Sequence, residues 1–173
     1  DVDQAGTDNS TDVTLVTTSH DYLSLAGQAI TLGAIDLAAD VTGALPVANA
    51  ATSLKKGRLG IVIDGAGSAI TTGIKADLEV PFGCTINQVR MLADQSGSIV
   101  VDVWKDSYAN YPPTDADTIT ASAVPTITTA TKSEDTSLSG WTTSLSEGDI
   151  LRFNVDSCTD ITRLTLILEV TKS

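Results

Sequence analysis

An all-β fold is predicted by three features of the chain. Thr and Ser are abundant, Val and Ile recur in short runs bounded by Gly, Pro, Asn or Asp, and no apolar stripe keeps a helical period for more than a few residues. Hydrophobic residues make up 42% of the chain and charged ones 18%, the balance of a sequence that buries a core. A length of 173 residues suits one ordinary domain with an appendage. The expected division is a short intertwined N-terminal β segment at 1–57 and a β-sandwich of jelly-roll type at 58–173.

In the first segment, residues 14–17 (TLVT) and 22–31 (YLSLAGQAIT) are short β-like pieces. The stretch 35–50 (IDLAADVTGALPVANA) follows, with Ile35, Leu37, Val41, Leu45 and Val47 all at odd positions. A helix would scatter these side chains around its axis, whereas a strand gathers them on one face. A segment this small, with so few large side chains, cannot bury enough surface alone. Three copies wound about one axis can bury thin apolar rows against each other. Tyr22, Leu23, Leu25, Ile30, Ile35, Leu37, Val41, Leu45 and Val47 are thus expected at a homotrimer interface, with 48–57 as an exposed connection.

In the second segment, 74–80 (IKADLEV) alternates cleanly, with Ile74, Ala76, Leu78 and Val80 on one face and Lys75, Asp77 and Glu79 on the other. Further strands are expected at 59–63, 86–92, 99–105, 126–131, 150–155 and 161–170. The separators at 64–67, 94–97, 147–149 and 156–160 are rich in Asp and Gly, and 64–69 (DGAGSA) reads as a hairpin turn. Leu151, Phe153 and Val155 should point inward, with Arg152 and Asn154 outward, against a matching row of Leu164, Leu166, Leu168 and Val170. Ile86 falls out of phase with Val89, Met91 and Ala93, so one extra residue, a bulge, is expected at Asn87 or Gln88.

Charge narrows the function. With Lys+Arg 10 against Asp+Glu 22 the net charge is −12, which repels nucleic-acid backbones and anionic lipid alike. No stretch approaches the roughly 18 apolar residues of a membrane span, and a soluble protein is expected. The N-terminus lacks the basic start and apolar run of a signal peptide. Because the first residue is Asp1, an anchoring region could precede it. Cys84 and Cys158 are too few for a disulfide framework and have no zinc-like spacing; free thiols are expected, with a single bridge as the alternative. No cofactor and no metal are expected.

The segment DYLSLAGQAITLGAIDLAADVTGALPVANA, residues 21–50, resembles a pattern of tailed-phage fibre proteins. There a Tyr-Leu-x-Leu-x-Gly-x-x-Ile-Thr piece leads to Ile-Asp-Leu, Asp-Val-Thr-Gly and Leu-Pro-Val-Ala-Asn. The stretches IKADLEVPFGCTINQVRMLADQSGSIVVDVWKDSYANYPPTDADTI and GWTTSLSEGDILRFNVDS are similar to C-terminal head domains on such proteins. The resemblance implies a homotrimeric virion fibre, with a β-structured stalk and a β-sandwich tip, on the exterior of the phage particle. Its N-terminal side would contact other virion proteins, and its tip would attach to the host surface. A head fibre or capsid-decoration protein, gripping the capsid through its N-terminal segment, is the second reading.

Catalysis is not expected. His20, the only histidine, lies between Ser19 and Asp21, and neighbours in an extended chain point to opposite faces, so no local triad forms. Asp115 and Asp117, with Asp102 and Asp106 upstream, could bind calcium or cleave glycosides, but their spacing fits a solvated loop better. A depolymerase would need a longer repeated strand pattern.

The surface expected to bind follows from 99–106 (IVVDVWKD). If Ile99, Val101 and Val103 face the core, then Trp104 faces outward between Asp102 and Asp106 and leads into SYANYPPTD. Flat rings and hydrogen-bonding groups suit a host glycan, with Trp104, Asp106, Tyr108, Asn110, Tyr111, Asp115 and Asp117 as the candidate ligand-binding set. Burial of Trp104 and Tyr108 between subunits is the competing reading. Trp141 reads as core or edge packing.

Overall fold

The computed structural model of the chain describes residues 50–173 throughout, and before them the backbone of two strands. The chain forms two compact units, 1–46 and 47–173. In the first unit, β1 (Leu23–Ala26) pairs antiparallel with β2 (Ala29–Leu32), Leu25 standing opposite Ile30. The expectations for Tyr22, Ile35, Leu37, Val41, Leu45, Val47 and His20 lie outside the described residues.

The second unit is a curled antiparallel sheet. Its strands are β3 (Lys56–Asp64), β4 (Gly73–Glu79), β5 (Cys84–Ser107), β6 (Thr126–Asp135), β7 (Ser144–Leu145), β8 (Asp149–Thr159) and β9 (Arg163–Lys172). The order is β3-β9-β5-β8-β4, with β6 and β7 also paired to β5. The one α-helix among the described residues is a single turn, Thr52–Lys55, with Leu54 exposed.

β5 organises everything else. Its first part, Cys84 to Ala93, pairs with β9, and its second, Ser98 to Ser107, pairs with β8. β3 then pairs with β9, and β4 with β8. Three long runs of chain therefore bend at one common corner. There Gly65 N–H donates to the Thr162 carbonyl (2.7 Å) and Ile70 N–H to the Ile161 carbonyl (2.9 Å). The Asp94 carboxylate accepts from the N–H groups of Thr162 (3.2 Å) and Arg163 (2.9 Å) and from the Thr162 hydroxyl. These bonds hold its carboxyl below the usual carboxylate range, the Thr162 hydroxyl contributing most.

The corner corrects two expected turns. Residues 64–67 do not close a hairpin, because β3 and β4 are not paired; the Asp64 carboxylate caps Ala66 N–H (2.7 Å) and redirects the chain instead. Residues 94–97 do not end a strand, because β5 continues through them. Gly97 is needed there: a Cβ on it would lie 2.4 Å from the Thr159 carbonyl oxygen. Residues 156–159, also expected in a turn, extend β8, and Asp160 (φ 70°) breaks it.

One face of the curl carries the core. Ile99, Val101, Val103, Leu151, Phe153, Val155, Leu164, Leu166, Leu168 and Val170 are all fully buried in one cluster, as the alternation predicts. Each such side chain contributes roughly 1.5–3 kcal/mol. The register slips between Ile86 and Gln88, so Asn87 is the extra residue and Val89 and Met91 return to the core. A second, unforeseen slip at Lys75 turns Ile74 outward, where it is 53% exposed, while Ala76 and Leu78 pack inward. The 147–149 turn is present, with Gly148 at φ 82° and the Asp149 carboxylate receiving Ser146 N–H (2.8 Å). Both thiols are free, and burial pushes both above the usual thiol value.

Candidate functional site

The outer face of β4, β8 and the end of β5 carries the site. Register places Asp77 beside Arg152 and Arg152 beside Trp104, in one row across three strands. Thr118 then bridges to Trp104 from the chain that follows β5. That chain leaves β5 through a 3-10 turn at Tyr108–Asn110 and a cis Tyr111–Pro112 bond, makes a second 3-10 turn at Asp115–Asp117, and folds back over the sheet.

This return covers Trp104. The ring does lie on the face opposite Ile99, Val101 and Val103, but it is 8% exposed, so it is no open sugar platform. Its indole N–H donates to Asp102 Oδ2 (2.7 Å). Asp102 Oδ1 accepts from Val103 N–H (2.7 Å), Thr118 Oγ1 (2.8 Å) and Thr120 Oγ1 (2.5 Å). Four donors satisfy a buried carboxylate without a cation, which makes Asp102 the fastening point of the returning chain.

Arg152 corrects a second expectation. It leaves the inner face as alternation requires, yet it is 8% exposed because the same loop lies over it. Its Nε donates to Asp77 Oδ1 (2.7 Å) and one terminal nitrogen to Asp77 Oδ2 (2.8 Å), a two-pronged pair. The other terminal nitrogen reaches the Pro113 carbonyl (3.2 Å), and the guanidinium carbon lies 5.1 Å from the Tyr111 ring centroid. Tyr111 Oη donates to Asp77 Oδ2 (2.8 Å) and accepts from Arg152 (3.1 Å). The hydrogen bonds from Arg152 hold the Asp77 carboxyl below its ordinary value, while the hydrogen bond to Asp77 raises the Tyr111 phenol.

Beside this clamp opens a cleft of about 380 Å³ lined by Asp77, Leu78, Glu79, Tyr108, Tyr111 and Ile150. Tyr108 is 77% and Tyr111 51% exposed, large rings standing in solvent. Of the expected set, therefore, Tyr108 and Tyr111 meet at one cleft. Asp106 Oδ1 is occupied by Ser107 N–H (2.7 Å) and Asn110 Nδ2 (3.1 Å), holding the first 3-10 turn. Asp117 Oδ2 takes Thr114 N–H and hydroxyl (2.8 Å each), which lowers its carboxyl, the backbone bond first. Asp115 is exposed in the same turn.

Asp77, Glu79, Arg152 and Ile150 were not expected at the site. Their signal was available in part, since Asp77 and Glu79 share the solvent face of an alternating strand and Arg152 interrupts an apolar one. Only the pairing of β4 with β8 joins them to the tyrosines. Trp141 is buried and its indole donates to the Ala123 carbonyl (2.9 Å), a packing role as expected. Among the described residues no cluster of His, Cys, Asp and Glu could hold a metal ion, and no helix is long and apolar enough to cross a membrane. No protein-family model matches the chain, and no curated protein compared with it matches either.

Proposed function

We propose that the chain is part of a homotrimeric virion fibre of a tailed phage, which attaches to a glycan on the host surface through its C-terminal domain. The observation that carries the adhesive role is the pair Tyr108 and Tyr111, two exposed rings beside a cleft with the exposed carboxylate of Glu79 at its wall. Rings of this kind stack on apolar sugar faces, and a carboxylate holds hydroxyls. Asp77 and Arg152 do not contact ligand in this reading; they fix Tyr111. The resemblance of residues 21–50 to phage fibre segments supports the trimeric stalk and the virion location. In this reading the curled sheet is a jelly-roll-like sandwich, supported by the single core that its bent strands share. The protein acts without catalysis, cofactor or metal.

Three measurements test it. Immunogold labelling should decorate virion tail tips; labelling of the capsid instead selects the decoration-protein reading. Light scattering should give three chains per particle, and a stable monomer at micromolar concentration overturns the trimer. Tyr108→Ala should fold normally yet lose host-cell adsorption, and unchanged adsorption removes the cleft from the reading.

A further inference from the structure

The outer face at the other end of the curl is of a different kind. All ten Lys and Arg residues fall after residue 50, in a chain of net charge −12. Three of them, Arg58, Arg90 and Lys132, line one groove of about 580 Å³ across β3, β9, β5 and β6. A fourth, Lys56, adjoins it.

Register explains how these cations meet. Arg58 pairs with Glu169 in one row, Ile167 with Arg90 and Arg90 with Glu134 in the next, and Leu92 with Lys132 in the third. Two strands and one two-residue step thus separate Arg58 from Arg90, about 12 Å, and one strand and one such step separate Arg90 from Lys132, about 8 Å. Gly60 lies beside Ile167 and has no side chain, which leaves the floor low. That floor is apolar, with Leu92 47% exposed. Glu134 accepts from Arg90 Nε at 2.7 Å, and Glu169 lies 3.7 Å from Arg58 and 3.6 Å from Lys56. Each guanidinium keeps further donors free for a ligand.

We propose that this groove binds an acidic oligosaccharide, one whose carboxylates repeat along its length. The inference rests on the adhesive reading and names a second subsite and its ligand class. Three cations spread over four strands match charges recurring along a chain better than one compact anion. The guanidinium fork fits a carboxylate in two-pronged fashion. The aliphatic floor of Leu92 and Ile167 takes the C–H face of the ring between two acid groups. A nucleic acid is disfavoured because it carries a phosphate at every nucleotide, a denser charge than three cations sharing their groove with Glu134 and Glu169 can match.

Titration of the full chain with a uronic-acid oligosaccharide, its carboxyl-reduced neutral counterpart, and a single-stranded oligonucleotide distinguishes the possibilities. The acidic oligosaccharide should bind, and more weakly as salt rises. The neutral and nucleic-acid probes should not bind. Arg58→Ala with Lys132→Ala should weaken binding about tenfold or more while leaving the melting temperature in place. Arg90 is left intact because its pair with Glu134 joins β5 to β6. Equal binding of acidic and neutral sugars, preferential binding of the oligonucleotide, no binding of any probe, or an unaffected double variant each overturns the proposal. A failure of virion labelling leaves this titration untouched, so the two readings fail separately.

Discussion

Replacing Arg152 with Met removes the guanidinium but keeps most of the aliphatic stem, so the loss reports on the polar clamp. Four contacts disappear: two to Asp77 and one each to Pro113 and Tyr111. Breaking a fully buried pair by removing one partner costs about 3–5 kcal/mol. Here the Asp77 side chain keeps 29% exposure and is partly rehydrated, which reduces the expected loss to about 2–3 kcal/mol. For a domain of this size that corresponds to a fall in Tm of roughly 10 °C. Asp77 has a depressed folded-state pKa, so its contribution is fully present above its unfolded value near 3.9 and is lost as pH falls through the folded value. The gap between wild type and Arg152→Met should therefore be widest at neutral pH and narrow below about pH 4. Urea unfolding at pH 7 and pH 3 measures both effects. A loss below about 0.5 kcal/mol at pH 7, the value of an ordinary surface pair, would refute the account of Arg152 as the anchor of the tyrosine loop.

Other substitutions probe the rest of the fold. Phe153→Ala, at a fully buried position, should cost about 3–5 kcal/mol in urea unfolding, and less than 1 kcal/mol would mean that the two parts of the curl do not share one core. Gly97→Ala should destabilise by more than about 2 kcal/mol, because the new methyl meets backbone oxygen that has no room to move; a neutral result would show that the corner opens. Neither cysteine should react quickly with a disulfide reagent at pH 7.5 in the folded protein, since burial raises both thiols, and reaction should become rapid in denaturant.

The core was legible in the sequence because strand alternation is local. Phe153 and Leu166 could be placed from their neighbours alone, and the slip at Asn87 showed itself as a break in phase. The slip at Lys75 was hidden, because Ile74 continued a regular pattern and only pairing with Asn154 turns it outward. Corners were also hidden. Asp94-Gln-Ser-Gly97 has turn composition, yet its Asp caps a different strand and its Gly admits a neighbour's backbone, so composition marked a special conformation without stating which one. For Trp104 alternation gives the correct face and the wrong exposure. Periodicity gives the direction of a side chain, whereas the cover over it comes from residues 111–120, whose path depends on long-range bonds to Asp77 and Asp102.

β9 lies between β3 and β5, so strands made early in synthesis stay without one neighbour until the tenth strand-forming residue of this late segment, Lys172, has been added. Until β9 is made, β3 is a bare ribbon edge and cannot be joined to β5. Deletions within β9 should accordingly cost yield out of proportion to the few residues that they remove, through sticking between incomplete chains.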